Sequence, residues 1–163
     1  MKAITLTQPW ATLVAIGAKK IETRSWATAY RGLLAIHAAK GLGPVGGKAG
    51  LYEIRTQEPF RAVLEAAGYY QFDDLPQGAI VATCHLSAIH RIPATPRHFP
   101  WCVADDHPLA SSPVIIPPQH DNERAFGDYT PGRYAWLLTD VRMLPEPVPA
   151  KGALGLWEWE PCA

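Results

Sequence analysis

Ten residues near the N-terminus, Gly17-Ala18-Lys19-Lys20-Ile21-Glu22-Thr23-Arg24-Ser25-Trp26, bring three cations, one carboxylate and an indole together directly after an apolar run. In a strand that begins near Lys20, alternation places Lys20, Glu22 and Arg24 on one face and Ile21 and Thr23 on the other. Side chains two residues apart on that face are about 7 Å apart, close enough for a carboxylate to orient a guanidinium. Lys19, at the bend after Gly17, can swing to either side. Lys19 and Glu22 could form an acid/base pair, with Arg24 as a planar fork for phosphate or carboxylate. The same three charges could instead be an exposed ion-pair ladder contributing about 0–1 kcal/mol; if they line a functional cleft, replacing Lys19 or Glu22 by Ala should abolish binding or turnover and leave stability almost unchanged.

The surroundings of the cluster favour a site. Pro9 to Gly17, PWATLVAIG, reads as a short helix with Pro in its first turn and Gly as its stop. Its N-terminus could receive an anion. Trp10 and Trp26 flank the cations, and aromatic faces beside cations are what stacking a base and holding its phosphate require. The candidates for chemistry are therefore Lys19, Glu22 and Arg24. Candidates for contacting a nucleotide or RNA are Gln8, Trp10, Lys20, Trp26, His37 and Arg133. His37 shares the register of Leu33 and Ala35 but ends its strand, so a hydrogen-bonded core imidazole is the competing role.

Other patterns carry less. Residues 41–46, GLGPVG, fit the G-x-G-x-x-G string, but Pro44 and the glycines after it read as a loop rather than the start of a nucleotide-binding helix. His98, Cys102 and His107, with Cys84 and His85, have no zinc spacing, and no metal or cofactor is expected. Cys84 alternates with Ile80 and Ala82 as a core residue does, and Trp136 lies inside an apolar strand.

The elements that must position the cluster follow from periodicity. Strands are expected at 3–7, 20–26, 32–38, 78–86, 133–144 and 152–160, the third and fourth being near-continuous apolar runs of the kind covered on both faces. Phe60, Val63, Leu64 and Ala67 recur at helical spacing. Residues 41–50 read as irregular and 92–132, rich in Pro, His and Asp, as a long surface excursion. Strands outnumber helices and sit close together, so the expected class is α+β, a small curved β-barrel of about six strands, with a short helix after the first strand and peripheral helices.

With 163 residues, 48% hydrophobic and 18% charged, a single domain spanning 1–163 with a sizeable core is expected, and disorder is excluded. No apolar run is long enough to span a membrane. The N-terminus lacks the apolar stretch of a signal peptide, and three scattered cysteines form no disulfide framework, so a cytoplasmic location is expected. Net charge is zero, yet residues 1–61 hold nine Lys/Arg against three Asp/Glu, a net +6, and residues 62–163 hold six against twelve, a net −6. Broad binding of long duplexes, which rests on many phosphate contacts, is excluded; a local cleft for a short strand, a loop or one nucleotide is not.

The string Gly17-x-Lys19-x-x-Glu22-x-Arg24 resembles the G-x-K-x-x-E-x-R signature of the ASCH domain family. The flanks LTQPWATLV, YRGLLAIHAAK and GAIVATCHL are similar too, and FGDYTPGRYAW followed by GALGLWEW is similar to the C-terminal part of bacterial and phage members. Residues 41–77 and 92–120 carry no such likeness. The resemblance implies a β-barrel of the PUA-like RNA-binding type, with RNA or nucleotides bound in a cleft lined by the signature. Some members resemble nucleases, and one small member is an amidohydrolase acting on acetylated cytidine through a Lys and a Thr of this segment. Carried over, Lys19 and Arg24 match, but Glu22 stands at the Thr position and Thr23 falls one residue later on the opposite strand face. The leading expectation is an RNA- or nucleotide-binding domain, with a role in RNA processing open. The alternatives are a small hydrolase of modified nucleosides and a non-catalytic adaptor in which the charges only fasten a strand.

Overall fold

The computed structural model describes residues 1–41, 47–92, 102–103, 114–115 and 121–161. Its first strand, β1 (Lys2–Leu6), is followed by α1 (Trp10–Ala15), which starts after Pro9 and stops where Gly17 takes a φ of +75°. The turn sends the chain into β2 (Ile21–Arg24) and then back to β3 (Gly32–Ala38), which lies parallel to β1 with Ala3 opposite Ala35 and Thr5 opposite His37. A parallel pair needs such a crossover. Next in the chain are α2 (Gly47–Thr56), α3 (Phe60–Ala66) and β4 (Ala79–Arg91). Two short strands, β5 (Cys102–Val103) and β6 (Val114–Ile115), pair with each other, and α4 (Asp121–Ala125), β7 (Tyr134–Pro149) and β8 (Leu156–Glu158) complete the order.

The main sheet has six strands in the order β2-β7-β4-β3-β1-β8, antiparallel except for β1 and β3. Register shifts interrupt the β3–β4 pairing once and the β4–β7 pairing three times. Bulges of this kind bend a sheet and increase its twist. The result is a curled half-barrel with a few short helices, the α+β, PUA-like architecture that the sequence implies.

Ile4, Leu34, Ile36, Leu86, Trp136 and Leu138 form the main core, covered by Ala11 and Val14 of α1. A second cluster joins Leu13 to Phe60 and Leu64 of α3, and to Phe126 just beyond α4. Trp136 is buried as expected. So is Cys84, whose thiol is pushed by burial up to about 12 and sits 3.6 Å from the Leu34 carbonyl.

Several boundaries differ from the sequence reading. β4 runs on past Leu86 to Arg91, because the shift between Leu86 and Ala88 keeps it in step with β7. β7 continues through Pro145 and Pro147 to Pro149. The register shift between Ile80 and Ala82 sets residues 144–147 of β7 against the single β4 residue Val81, so Pro145 and Pro147 fall in a bulge; among the described residues β2 pairs only as far along β7 as Leu137. A proline in such a bulge costs no ladder bond. The last strand is shorter than 152–160, because Gly155, at a φ of +68°, turns the chain just before it. Residues 47–56 form a helix where irregular chain was expected; its glycine-rich start conceals helical periodicity. Residues 42–46 of the G-x-G-x-x-G string lie outside the described residues, as do His98 and His107; Cys102 falls in β5.

Candidate functional site

Gly17 closes α1 by donating its N–H to the Val14 carbonyl, and the Lys19 N–H then reaches back to Leu13. That reversal points the Lys19 side chain inward, where it is 0% exposed. Its ammonium bonds the Ile21 carbonyl and the Phe126 carbonyl (2.9 Å) and lies 3.6 Å from Glu22 Oε2. Two of its three donors go to these carbonyls, and the Glu22 carboxylate adds an ion pair. Lys19 is therefore sealed beneath the surface, not swinging beside a strand, and the exposed-ladder account does not apply to it.

Glu22 and Arg24 share a face, as alternation in β2 requires. Arg24 Nε stands 3.1 Å from Glu22 Oε1, and Arg24 Nη2 donates to the Thr5 carbonyl at 2.8 Å. Lys19, Glu22, Arg24 and Thr5 thus form one chain of contacts running from the interior to β1. The Glu22 side chain keeps 12% exposure and Arg24 26%, both toward a cleft of about 460 Å³ whose walls include Thr5, Thr7, Trp10 and Asp128. Trp10 meets Phe60 edge-on at 6.1 Å, which fixes its ring at the rim of the second core cluster.

The segment after α4 closes the other side. The buried Glu123 carboxylate accepts the backbone N–H groups of Lys20 (2.5 Å) and Ile21 (2.9 Å), clamping the start of β2. The Asp128 N–H donates to Thr23 Oγ1 at 2.9 Å. Gly127 lies so close to this corner that a Cβ would fall 2.7 Å from Tyr129 Cε2 and 3.2 Å from Thr23 Cγ2. Burial, reinforced by the negative charges of Glu123 and Glu22, raises the Tyr129 phenol above its ordinary range, so it stays protonated. Hydrogen bonds from Thr130, with a smaller contribution from Arg133, hold the Asp128 carboxyl below the usual carboxylate value.

Of the sequence candidates, Trp10, Glu22 and Arg24 meet at the cleft, with Lys19 underneath. Arg133 stands one step back, 3.2 Å from Asp128 Oδ2 and donating to the Thr23 carbonyl. Gln8 is buried and bonded inward: its Oε1 accepts the Thr12 N–H and hydroxyl, and its Nε2 donates to the Pro76 carbonyl. Gln8 thereby fills the α1 N-terminus that might have received an anion. The Lys20 side chain is exposed and does not line the cleft. Trp26 packs edge-on against Trp136 at 4.8 Å, away from the cleft lining. His37 lies in a different cavity, with Nε2 3.0 Å from the Ala150 carbonyl, and burial holds its pKa below the ordinary value. Sequence reasoning did not single out Glu123, Phe126, Asp128 or Tyr129 for the site. The run FGDYTPGRYAW held a usable signal, but Glu123 sits in a segment with no periodicity to mark it.

Chemically, the cleft offers two carboxylates, Glu22 and Asp128, that only accept, a guanidinium that only donates, and an indole. Among the described residues no group of His, Cys, Asp and Glu is arranged to hold a metal, and no helix is long and apolar enough to cross a membrane. The ASCH domain model matches residues 4–104, more than half of the chain. No curated protein matches it.

Proposed function

We propose, from the premise that this chain belongs to the ASCH domain family, that the cleft above Glu22 and Arg24 takes one unpaired base of an RNA strand, or the corresponding nucleotide. Domains of this family are PUA-like and generally bind RNA. The observation that carries the finer reading is the fixed Glu22 carboxylate, held between Lys19 and Arg24 and turned toward a cavity that Trp10 borders. About 460 Å³ lies within the range of small-ligand sites, roughly 300–1,000 Å³. A carboxylate selects an edge that presents donors, such as an exocyclic amine, and an indole supplies a stacking surface. Single-stranded bases are the part of RNA that can be splayed out and read this way.

The hydrolase alternative draws less support. Lys19 Nζ is buried on two backbone carbonyls beside the Glu22 carboxylate, and Thr23 Oγ1 is bonded by the Asp128 N–H, so neither is arranged as an amine–hydroxyl pair for covalent catalysis. Binding without turnover is the simpler role for these contacts.

The test is a titration of nucleosides, nucleoside monophosphates and short RNAs, followed by tryptophan fluorescence and thermal shift. Glu22→Gln should weaken binding by about ten- to a hundredfold, the worth of one charge-assisted hydrogen bond. Arg24→Lys should also weaken it, because the planar fork is lost. The salt dependence of oligonucleotide binding should correspond to about one to three phosphates. Unchanged affinity in Glu22→Gln would refute the reading and leave the three charges as a strand fastener in an adaptor module.

A further inference from the structure

A second cavity of about 720 Å³ shares one residue, Thr5, with the first. The Thr5 carbonyl accepts Arg24 on the cleft side. Its hydroxyl faces the second cavity, donating to the Ala153 carbonyl at 3.0 Å and accepting the Trp157 indole N–H at 3.1 Å. His37, Lys40, Lys151, Gly152 and Leu154 contribute to the remaining walls.

The loop that carries Lys151 is fastened in place. His37 Nε2 bonds the Ala150 carbonyl on one side of Lys151, and Thr5 holds Ala153 on the other. Gly152 rests directly on the imidazole: a Cβ there would fall 2.4 Å from His37 Cε1 and 2.9 Å from Thr5 Oγ1. Only a residue without a side chain lets the loop lie this low. With Nε2 donating to a carbonyl, His37 Nδ1 is left as a buried acceptor with no partner among the described residues.

What lines this cavity is unusual in combination. Lys40 and Lys151 are exposed and pair with no carboxylate among the described residues, and no Asp or Glu lines the cavity. Leu154 is 98% exposed at the rim. Lys151 and the apolar tip Leu154 on the pinned loop, with Lys40 two residues past the end of β3, suit an anion with an apolar body. The first cleft differs: it sets one guanidinium against two carboxylates, Glu22 and Asp128, and has no surplus charge for a phosphate.

We propose that the second cavity holds the phosphate and adjoining sugar of the RNA strand whose base occupies the first cleft, the strand passing over Thr5. This inference rests on the base-binding reading of the first cleft. It assigns base recognition to Glu22 and Arg24 and backbone charge to Lys40 and Lys151.

The experiment compares the wild-type protein, Lys40→Ala/Lys151→Ala and Glu22→Gln. Each is titrated with nucleosides, and with oligoadenylate and oligouridylate of about five nucleotides, at salt concentrations of about 50 and 200 mM. Both lysines are exposed, so their removal does not threaten folding. For the lysine variant, oligonucleotide affinity should fall roughly tenfold, and the slope of log affinity against log salt should become shallower by about 1.4, the share of two single-strand phosphates. Nucleoside affinity should not change. Wild-type affinity and slope for the oligonucleotides would overturn the proposal, as would an equal loss for nucleosides. An effect of the lysines with none from Glu22→Gln would instead remove the base-binding reading and keep a phosphate site. Wild-type protein that binds no oligonucleotide removes both.

Discussion

Replacing Lys19 by Met is the sharpest test of how this site is built. Methionine fills nearly the same volume, so the change isolates the ammonium. Its loss strips a partner from the Phe126 and Ile21 carbonyls and leaves the Glu22 carboxylate, 12% exposed, with Arg24 alone. Removing one member of a buried pair typically costs about 3–5 kcal/mol, because the groups left behind keep their desolvation penalty. For a chain of this size each kcal/mol lowers Tm by about 2–4 °C, so a fall of roughly 6–20 °C is expected. Urea unfolding followed by tryptophan emission should show a lower midpoint with an unchanged slope. Adding Glu22→Gln to Lys19→Met should cost less than the two single changes combined, since the two groups touch. A loss below about 1 kcal/mol, the value of an exposed pair, would refute the sealed arrangement.

Gly127→Ala should displace the Tyr129 ring, because the new Cβ would meet Cε2 at 2.7 Å. A destabilisation of about 1–3 kcal/mol, read from thermal melts, with weaker ligand binding at the neighbouring cleft, is expected for overpacking of this kind. Stability should fall with pH below the ordinary histidine value of 6.5, because burial lowers the His37 pKa in the folded state. Between the folded and unfolded values the unfolded chain binds more protons, so the contribution is complete above 6.5 and is lost as pH falls through the folded pKa. His37 can contribute at most about 1.4 kcal/mol per pH unit, and His37→Gln should flatten the profile between pH 7 and 5 relative to wild type.

What could be read from the sequence had a local cause. The segments 32–38 and 79–86 are apolar on both faces, and they form strands near the middle of the sheet. Pro9 and Gly17 bracket α1 because each acts on its own backbone, one by its ring and the other by its positive φ. The extensions of β4 and β7 were not legible, because they depend on a partner. Residues 87–91 stay in the ladder only through a register shift against β7, and Pro145 and Pro147 are accommodated where another shift, between Ile80 and Ala82, takes residues 144–147 out of step with β4. No window of sequence around Pro145 records where β4 and β7 fall out of step.

The same division runs through the site. Alternation along β2 was enough to bring Glu22 and Arg24 to one face, since both are set by the strand that carries them. The position of Lys19 was not legible, because two of its acceptors are backbone carbonyls, which every residue has and no residue type announces. One of them, on Phe126, lies 107 positions away. Glu123 is hidden for a similar reason: its partners are the N–H groups of Lys20 and Ile21. The three charges that look alike in the string Gly17-x-Lys19-x-x-Glu22-x-Arg24 therefore do different work. Lys19 joins β2 to the chain beyond α4, Arg24 joins it to β1 through the Thr5 carbonyl, and Glu22, gripped by both, turns a carboxylate toward the cleft. With Lys19 sealed beneath the surface, the cleft lining sets Arg24 against two carboxylates, Glu22 and Asp128, which is why a basic segment yields a cleft with no surplus positive charge.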